Sequence, residues 1–599
     1  MTLDRVRFTK LISNNWLIFK LAFKEAPLYT LTGIFDQALH EVIVFFEHIY
    51  LIAYIVDSIQ YQRPFKNVLI FVVSVFTTVC VVFIWWNYKS AYIEPKAKEN
   101  INKAIRIKLF EKAAGLDLEC YDNPGFYNDF VWSMSEATGR VEKVLDTIKK
   151  LIGAIAGIIT AGVFVLMTDR FGLYIVVFAV TLTVFVNRKS NKAKLELDDE
   201  MRPLQRKRDY INRVIYLSEF AKELRLSEVK EKLYQDFLDS NKKLEAVAKR
   251  KTIKLVLFGF INDYICKTFL FDGIYLMYLL YNAIVLKIVG FGTLTALYRS
   301  SRQLKNNMKN FSDVLKEFEQ NSLYIDKIIK FLNYEGRIKD NKNSRSLDAN
   351  TGIIEFRNVS FRYTDDGENI LGNINLKISP GEKISLVGYN GAGKTTLIKL
   401  LLRLYEPTEG EILLNGVNVR EFKIAQYRNL FSTVFQDYQL YSTSLLKNVV
   451  MNNSEIDEVK AQSALKTSEF GDRMCELTNG IHTQLGREFD DEGVNLSGGE
   501  SQKVALSRIF YKDSSIIVLD EPSSALDPIS EYKVNKAILN ESVKKSVVLI
   551  SHRLSTTKMA DKIYMLENGR IIEQGTHSQL MDFDGKYAEM FKLQAEKYR

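Results

Sequence analysis

A chain of 599 residues is too long for one hydrophobic core and divides into at least two domains. Its formal net charge of +9 and pI near 8.9 would suit a nucleic-acid binder, yet no basic cluster or nucleic-acid module accompanies them, so no nucleic-acid partner is expected. Cytoplasmic loops rich in Lys and Arg in a membrane protein account for the same balance, while four scattered cysteines (Cys80, Cys120, Cys266, Cys475) exclude a disulfide scaffold or a close-spaced Cys metal site.

The start, MTLDRVRFTKLISNNW, lacks a short apolar core with a small-residue cleavage site, and its basic character favours a cytoplasmic N-terminus. The stretch VLIFVVSVFTTVCVVFIWW (68–86) carries no charge and is long enough to cross a bilayer. LIGAIAGIITAGVFVLM (151–167) and FGLYIVVFAVTLTVFV (171–186) are separated only by Thr168-Asp169-Arg170 and read as a helical hairpin with a tight outer turn. FLFDGIYLMYLLYNAIV (269–285) is interrupted only by Asp272. With two weaker spans, the reading is an all-α domain over 1–334 with six spanning helices, at about 27–57, 66–92, 148–168, 170–188, 252–285 and 291–324. The charged, helically periodic stretches 93–147 and 188–250 continue these helices out of the lipid bilayer into cytoplasm.

The weak spans carry the charges. In the first, Asp36, His40 and Glu47 share one arc at about 100° per residue, and Glu41 and His48 share another. A structural His–Glu metal site there is one reading. In the last, Arg299, Arg302, Lys305 and Lys309 fall within about a third of the circumference, apart from the arc of Leu294, Leu297, Leu304, Met308, Phe311 and Leu315. Each charge costs roughly 2.5–3.5 kcal/mol at mid-bilayer, so four facing lipid would cost about 10–14 kcal/mol. The stripe therefore faces protein or a water-filled cavity. It either attracts an anionic cargo or pairs with the acids of the first span and with Asp263 and Asp272; both readings stand at this stage.

Residues 335–352 are polar, lack apolar periodicity and read as an exposed linker to a domain over 353–599. In that domain GYNGAGKT (Gly388 to Thr395) fits G-x-x-x-x-G-K-[ST] between the apolar strand KISLV and an apolar helix. Gly388, Asn390, Gly391 and Gly393 let backbone N–H groups approach phosphates, and the helix N-terminus adds positive potential. Lys394 would reach the β- and γ-phosphates, and Thr395, followed by Thr396, would bind Mg2+. SSIIVLDEPSSALD (514–527) gives a buried strand ending in Asp520, placed to hold the metal, and Glu521, placed to polarise a water.

LSGGE (Leu496 to Glu500) resembles the LSGGQ signature of ABC transporters, with Glu500 in place of the usual Gln. By that resemblance residues 353–599 are an α/β P-loop nucleotide-binding domain that uses ATP and Mg2+. Ser497, Gly498, Gly499 and Glu500 would then meet the γ-phosphate of ATP bound to the opposite subunit. The resemblance extends to Tyr363 as the aromatic that stacks on adenine and Gln436 as the Q-loop glutamine at Mg2+. Asp527 matches the D-loop and His552 the switch histidine, with Glu521, His552 and Lys394 forming the catalytic group. ECYDNPGFYNDF (119–130) and SEFAKELRL (218–226) resemble the cytoplasmic coupling loops of the exporter branch. GREFDDEGVN (486–495) departs from it, since Asp490, Asp491 and Glu492 lengthen and acidify a loop that is usually shorter. No cysteine-protease domain precedes the first span, and leader-peptide cleavage by this chain is not expected.

The resemblance implies an ATP hydrolase that drives export by alternating access from the plasma membrane, with its N-terminus and nucleotide domain cytoplasmic. One P-loop and one signature per chain imply a dimer, with a second copy favoured over a related half-transporter. The cargo expected in a cavity lined by Asp36, His40, Glu47, Arg299, Arg302, Lys305 and Lys309 is polar or anionic, such as a peptide. Import by the same fold, or a regulator or ATP-gated channel that does not pump, are the alternative readings.

Overall fold

The computed structural model describes residues 2–340, 344–347, 352–364, 367–452, 456–522, 526–541, 545–551 and 557–596. It divides into a helical unit, Met1–Ala114 with Asn128–Tyr334, and a second unit, Gly115–Tyr127 with Glu335–Arg599.

The helical unit opens with α1 (Thr2–Glu25). Its long helices are α2 (Pro27–Gln60), α3 (Phe65–Ala114), α4 (Pro124–Thr168), α5 (Arg170–Tyr216), α6 (Val229–Phe260) and α7 (Phe291–Leu332). α6 runs on through a π-helical stretch, Ile261–Tyr275, into a further α-helix, Leu276–Ile284. Pro27 begins α2 at a position where the missing N–H is harmless. Asp169 makes the tight turn between α4 and α5 by accepting a bond from Gly172 N at 2.9 Å, and Tyr278 Oη donates to the same carboxylate at 3.0 Å. A core of Ala161, Val165, Val176, Val180, Tyr275, Leu279, Leu297 and Leu304 joins α4, α5, α7 and the helical continuation of α6.

Among the described residues, four helices are long and apolar enough to cross a membrane: Pro27–Gln60, Phe65–Ala114, Gly125–Thr168 and Arg170–Tyr216. The other two expected spans are helical but do not meet that standard. One is divided among the three segments of α6, and α7 carries the basic stripe.

The structure sorts the membrane charges differently from either arc reading. α2 contains a π-helical turn at Phe46–Tyr50, which winds more residues into a turn and shifts the phase of everything after it. Asp36 is buried, receiving Lys89 Nζ at 2.5 Å and Trp85 Nε1 at 3.1 Å. His40 is exposed with its ring 5.3 Å from Trp86, and Glu47 is half-buried, 3.9 Å from His48. Glu41 accepts from Gln303 Nε2 at 3.2 Å and Asn307 Nδ2 at 3.0 Å. Asp57 accepts from Gly292 N and Thr293 Oγ1, each at 2.8 Å, at the positive N-terminus of α7. Asp36 and Glu41 thus have partners other than the stripe, Asp263 is exposed, and the Asp272 side chain lies outside the described residues. Among the described residues no group of three or more His, Cys, Asp or Glu side chains is arranged to hold a metal ion.

Along α7 the stripe splits. Lys305 sits at the edge of the buried arc that holds Leu297 and Leu304, whereas Arg299, Arg302 and Lys309 are exposed, together with Asn306 and Asn310. Arg299 Nη1 donates to His48 O at 2.6 Å, and the Arg302 guanidinium lies 5.7 Å from the Tyr298 ring centre.

In the second unit β1 (Ile354–Phe361), β2 (Leu371–Ile378), β4 (Glu409–Leu414) and β5 (Val417–Asn418) form an antiparallel sheet in the order β2-β1-β4-β5. A second sheet runs β10-β9-β3-β8-β7-β6, built from β3 (Lys383–Gly388), β6 (Phe431–Val434), β7 (Ile516–Asp520), β8 (Ser546–Ile550), β9 (Lys562–Glu567) and β10 (Arg570–Gly575). All of its pairings are parallel except that of β9 with β10. The apolar runs of β3, β7 and β8 are buried on both faces, as a parallel sheet covered by helices requires.

The segment read as an exposed linker is bonded into this unit. Arg345 N donates to Glu421 O at 2.7 Å, Leu347 N to Gln426 Oε1 at 3.1 Å, and Arg337 pairs with Glu119 at 3.1 Å. The loop Gly115–Tyr127, with its short helix Glu119–Asp122, belongs to the same unit, while the short helix Ala221–Leu226 stays with the helical unit.

Breaking the Asp36–Lys89 pair from one side strands a buried charge. Lys89→Met should lower stability by about 3–5 kcal/mol, and adding Asp36→Asn should recover most of the loss. Thermal unfolding in detergent measures both, and an unchanged midpoint for the single variant would contradict the pairing.

Candidate functional site

β3 delivers the chain to Gly388, a five-residue loop follows, and α8 (Lys394–Leu401) begins at once. Two glycines make that path possible. Gly388 has φ of 150° and a Cβ there would lie 2.2 Å from Leu566 O; Gly393 has φ of 97° and a Cβ there would lie 2.6 Å from Leu371 Cδ2. The loop curls over a cavity of about 710 Å³ at the carboxyl ends of the parallel strands. Asn390 to Thr396 of the loop and helix line it, with Gln436, Asp520 and Glu521 arriving from neighbouring elements.

Inside the cavity Lys394 Nζ donates to Gly388 O at 2.8 Å and Tyr389 O at 3.0 Å. Burial pushes the ammonium pKa down, and the carboxylates of Glu521 and Asp520 oppose that shift. Its present partners are neutral carbonyls, which a phosphate oxygen can outcompete. Thr395 Oγ1 donates to Asp520 Oδ2 at 3.0 Å. Burial raises the Asp520 pKa, with the Thr395 bond opposing it. Hydroxyl and carboxylate side by side form a hard-oxygen donor set of the kind Mg2+ takes, with room left for phosphate and water. Glu521 stands next in the chain with φ of 50°, and its N donates to Ile550 O at 3.0 Å on β8. A left-handed glutamate is strained backbone, and such strain gathers at functional sites. Gln436 is exposed on the cavity wall.

Tyr363 Oη lies 3.1 Å from Thr396 Oγ1, so the aromatic expected at adenine is tied to the phosphate loop. Its ring meets Tyr405 edge-on at 5.3 Å, and Lys399 lies over both rings at 5.5 and 5.6 Å. Tyr405 Oη in turn donates to Asp122 of the loop Gly115–Tyr127. The sequence reading missed Tyr405, although its position soon after α8 and its aromatic character were visible.

The remaining expected residues lie elsewhere. Ser497 caps α10 (Gly498–Tyr511); its Oγ accepts from Glu500 N at 3.3 Å while Glu500 Oε2 accepts from Ser497 N at 2.8 Å. Gly498 and Gly499 form the first turn, and Gly498 O accepts from Tyr438 Oη at 2.9 Å. Among the described residues that line the phosphate cavity, none comes from Ser497–Glu500. Arg473, on the short helix α9 (Gly471–Glu476), lies 2.8 Å from the Glu500 carboxylate, a partner no local motif announces. Asp527 is exposed and caps α11 (Pro528–Glu541), accepting from Ile529 N at 3.0 Å and Ser530 N at 2.9 Å; these bonds hold its pKa down at about 2. His552 lies outside the described residues.

A glycine loop between a parallel strand and a helix, a neighbouring strand ending in Asp-Glu, and a separate capped LSGGE helix define a P-loop ATPase domain of the ABC class. Residues 371–524 match the ABC transporter family. That segment is accordingly an ABC-type ATPase domain that works with Mg2+, and it follows a helical unit with, among the described residues, four helices long and apolar enough to cross a membrane. The chain is 28% identical to the subtilin transport ATP-binding protein SpaT of Bacillus subtilis, over 84% of this chain and 81% of that protein. It is 34% identical to the ATP-dependent lipid A-core flippase of Escherichia coli (strain K12), over 51% of each chain. The fold matches a bacterial Atm1-family ABC exporter with ATP bound at a TM-score of 0.71 and 23% identity, over 96% of this chain and 98% of that one.

Because burial makes Asp520 release its proton at higher pH than an ordinary carboxylate, acid competes with the metal early. Mg2+-dependent ATP binding should weaken as the pH falls, starting at higher pH than an ordinary carboxylate would impose, and Asp520→Asn should lower the affinity and lose the part of the pH response that ATP's own phosphate does not explain. Titration with a fluorescent ATP analogue measures this, and a flat profile in the native chain would contradict it.

Proposed function

We propose that the chain is half of an ATP-driven exporter that works as a homodimer in the plasma membrane, with its N-terminus and nucleotide unit in the cytoplasm, and carries a polar or anionic cargo such as a peptide. The observation behind the cargo is the sorting of charge in the helical unit. Asp36, Glu41, Asp57 and Asp169 are each engaged by partners within that unit, while Arg299, Arg302 and Lys309 remain exposed on one helix. Exposed faces of α3, in contrast, carry Leu69, Ile70, Val73, Phe76 and Phe83 and suit lipid. These cations would give positive charge to the wall of a cavity bordered by α7, which would draw an anion and repel a cation.

Dimerisation follows from the separation of the signature from the phosphate cavity of its own chain, because a second copy can bring Ser497, Gly498, Gly499 and Glu500 to that cavity. In this reading Lys394 and the loop amides grip the phosphates, and Thr395, Asp520 and Gln436 hold Mg2+, which neutralises phosphate charge. Tyr363 stacks on adenine, Glu521 orients or deprotonates the attacking water, and His552 steadies the developing charge. Asp527 acts through the helix it caps.

The test is ATP-dependent accumulation in inside-out vesicles that contain only this chain, with a cell extract as cargo library and mass spectrometric readout against Glu521→Gln vesicles. Anionic peptides should be enriched only in the native vesicles, and Arg299→Gln with Arg302→Gln and Lys309→Gln should reduce that enrichment by about tenfold while hydrolysis continues. Enrichment that ignores the triple substitution would overturn the cargo assignment. Hydrolysis without enrichment would favour import or regulation, and no hydrolysis would favour a different partner subunit.

A further inference from the structure

The glutamate in LSGGE poses an electrostatic problem. If the signature meets the phosphates of ATP held by a second copy, as the proposed function has it, Glu500 sets a negative charge in the first turn of α10, where helix N-terminal potential would otherwise favour an anion. Glu500 is firmly placed there. Its carboxylate closes the capping box on Ser497 N at 2.8 Å, so it cannot simply swing away without uncapping the helix. Both oxygens are in use, since Oε1 lies 2.8 Å from Arg473 Nε. That guanidinium reaches Glu476 as well, at 3.0 Å, from the far end of α9.

We infer that Arg473 is a positioning residue for the ATP reaction: its guanidinium neutralises Glu500 and so keeps a glutamate-bearing signature able to receive a triphosphate. It acts through Glu500, with Glu476 holding its fork in place. A glutamine at position 500 would make the same capping bond through its amide oxygen without the charge, and Arg473 would then have nothing to offset. The ion pair belongs to this chain's departure from the usual signature, and α9 is the element that supplies it.

The experiment uses the full chain in lipid nanodiscs, measuring kcat and KM for Mg-ATP in the native protein and in Arg473→Ala, Arg473→Lys, Glu500→Gln and the Arg473→Ala/Glu500→Gln double variant. Arg473→Ala should raise KM about five- to tenfold while kcat changes less, because an unscreened charge near a polyanion weakens its binding. Arg473→Lys should keep most of the native affinity. In the Glu500→Gln background, Arg473→Ala should change KM by less than about twofold, the non-additivity expected of residues acting as one unit. Added salt should narrow the gap between native and Arg473→Ala proteins. An Arg473→Ala protein with native KM would overturn the inference. So would a loss that persists in the Glu500→Gln background, which would give α9 a purely structural role. Absence of hydrolysis in the native chain would instead overturn the ATP-site reading on which this rests.

Discussion

Lys89 bonded to Asp36 inside the helical unit shows the constraint that a buried acid of that unit meets. A carboxylate taken out of water must find a cation or a set of donors close by, and the long helices are arranged so that it does. Asp36 takes Lys89 and Trp85, Glu41 takes two amides, and Asp57 takes the amino end of a neighbouring helix. With these acids engaged by other groups, Arg299, Arg302 and Lys309 of α7 are exposed, whereas Lys327, further along the same helix, pairs with Asp129.

The same requirement operates in the second unit with different partners. Arg403, almost fully buried, is held by Glu406 at 2.9 Å and by the carbonyls of Val419 and Phe422, which fixes the turn after the P-loop helix. Lys394 rests on two carbonyls that nucleotide phosphate can displace, so the cation is kept in place and yet not committed. Glu500 and Arg473 repeat the arrangement at the signature. Arg403 pairs with Glu406 and Lys394 rests on Gly388 and Tyr389, near neighbours in sequence, whereas Arg473 and Glu500 join two separate helices.

Two pieces of the candidate site were legible because each is contiguous: Gly388 to Thr395 form one loop, and Asp520 and Glu521 close one strand. The parallel sheet, not spacing, brings the two pieces to one cavity. The hairpin around Asp169 was readable for the same reason. What escaped sequence reading was pairing at long range: Lys89 lies far along the chain from Asp36, and no periodicity within α2 points to it. Arc arguments on α2 also assumed an unbroken 3.6-residue turn, which the π-helical segment at Phe46–Tyr50 interrupts. On α7, which is regular, the predicted separation of basic and apolar arcs mostly holds, with Lys305 falling at the boundary because its angular position lies nearest Leu304 and Leu297. The polar stretch after Glu335 read as an exposed linker, and side-chain character said nothing of its backbone bonds to Glu421 and Gln426.

The left-handed backbone at Glu521 bears on how this protein can vary. A residue with φ of 50° that is not glycine carries roughly 1–2 kcal/mol of unfavourable conformational energy, held in place here by the bond from its N–H to Ile550. β-branched side chains are shut out of that position by sterics before chemistry is considered, and glycine or asparagine would relax it. Alanine at this site would alter the backbone preference and the carboxylate together. Drift at position 521 is thus confined to a narrow set of side chains, and a chain that had lost activity there would be expected to carry glutamine, asparagine, aspartate or glycine rather than valine or isoleucine.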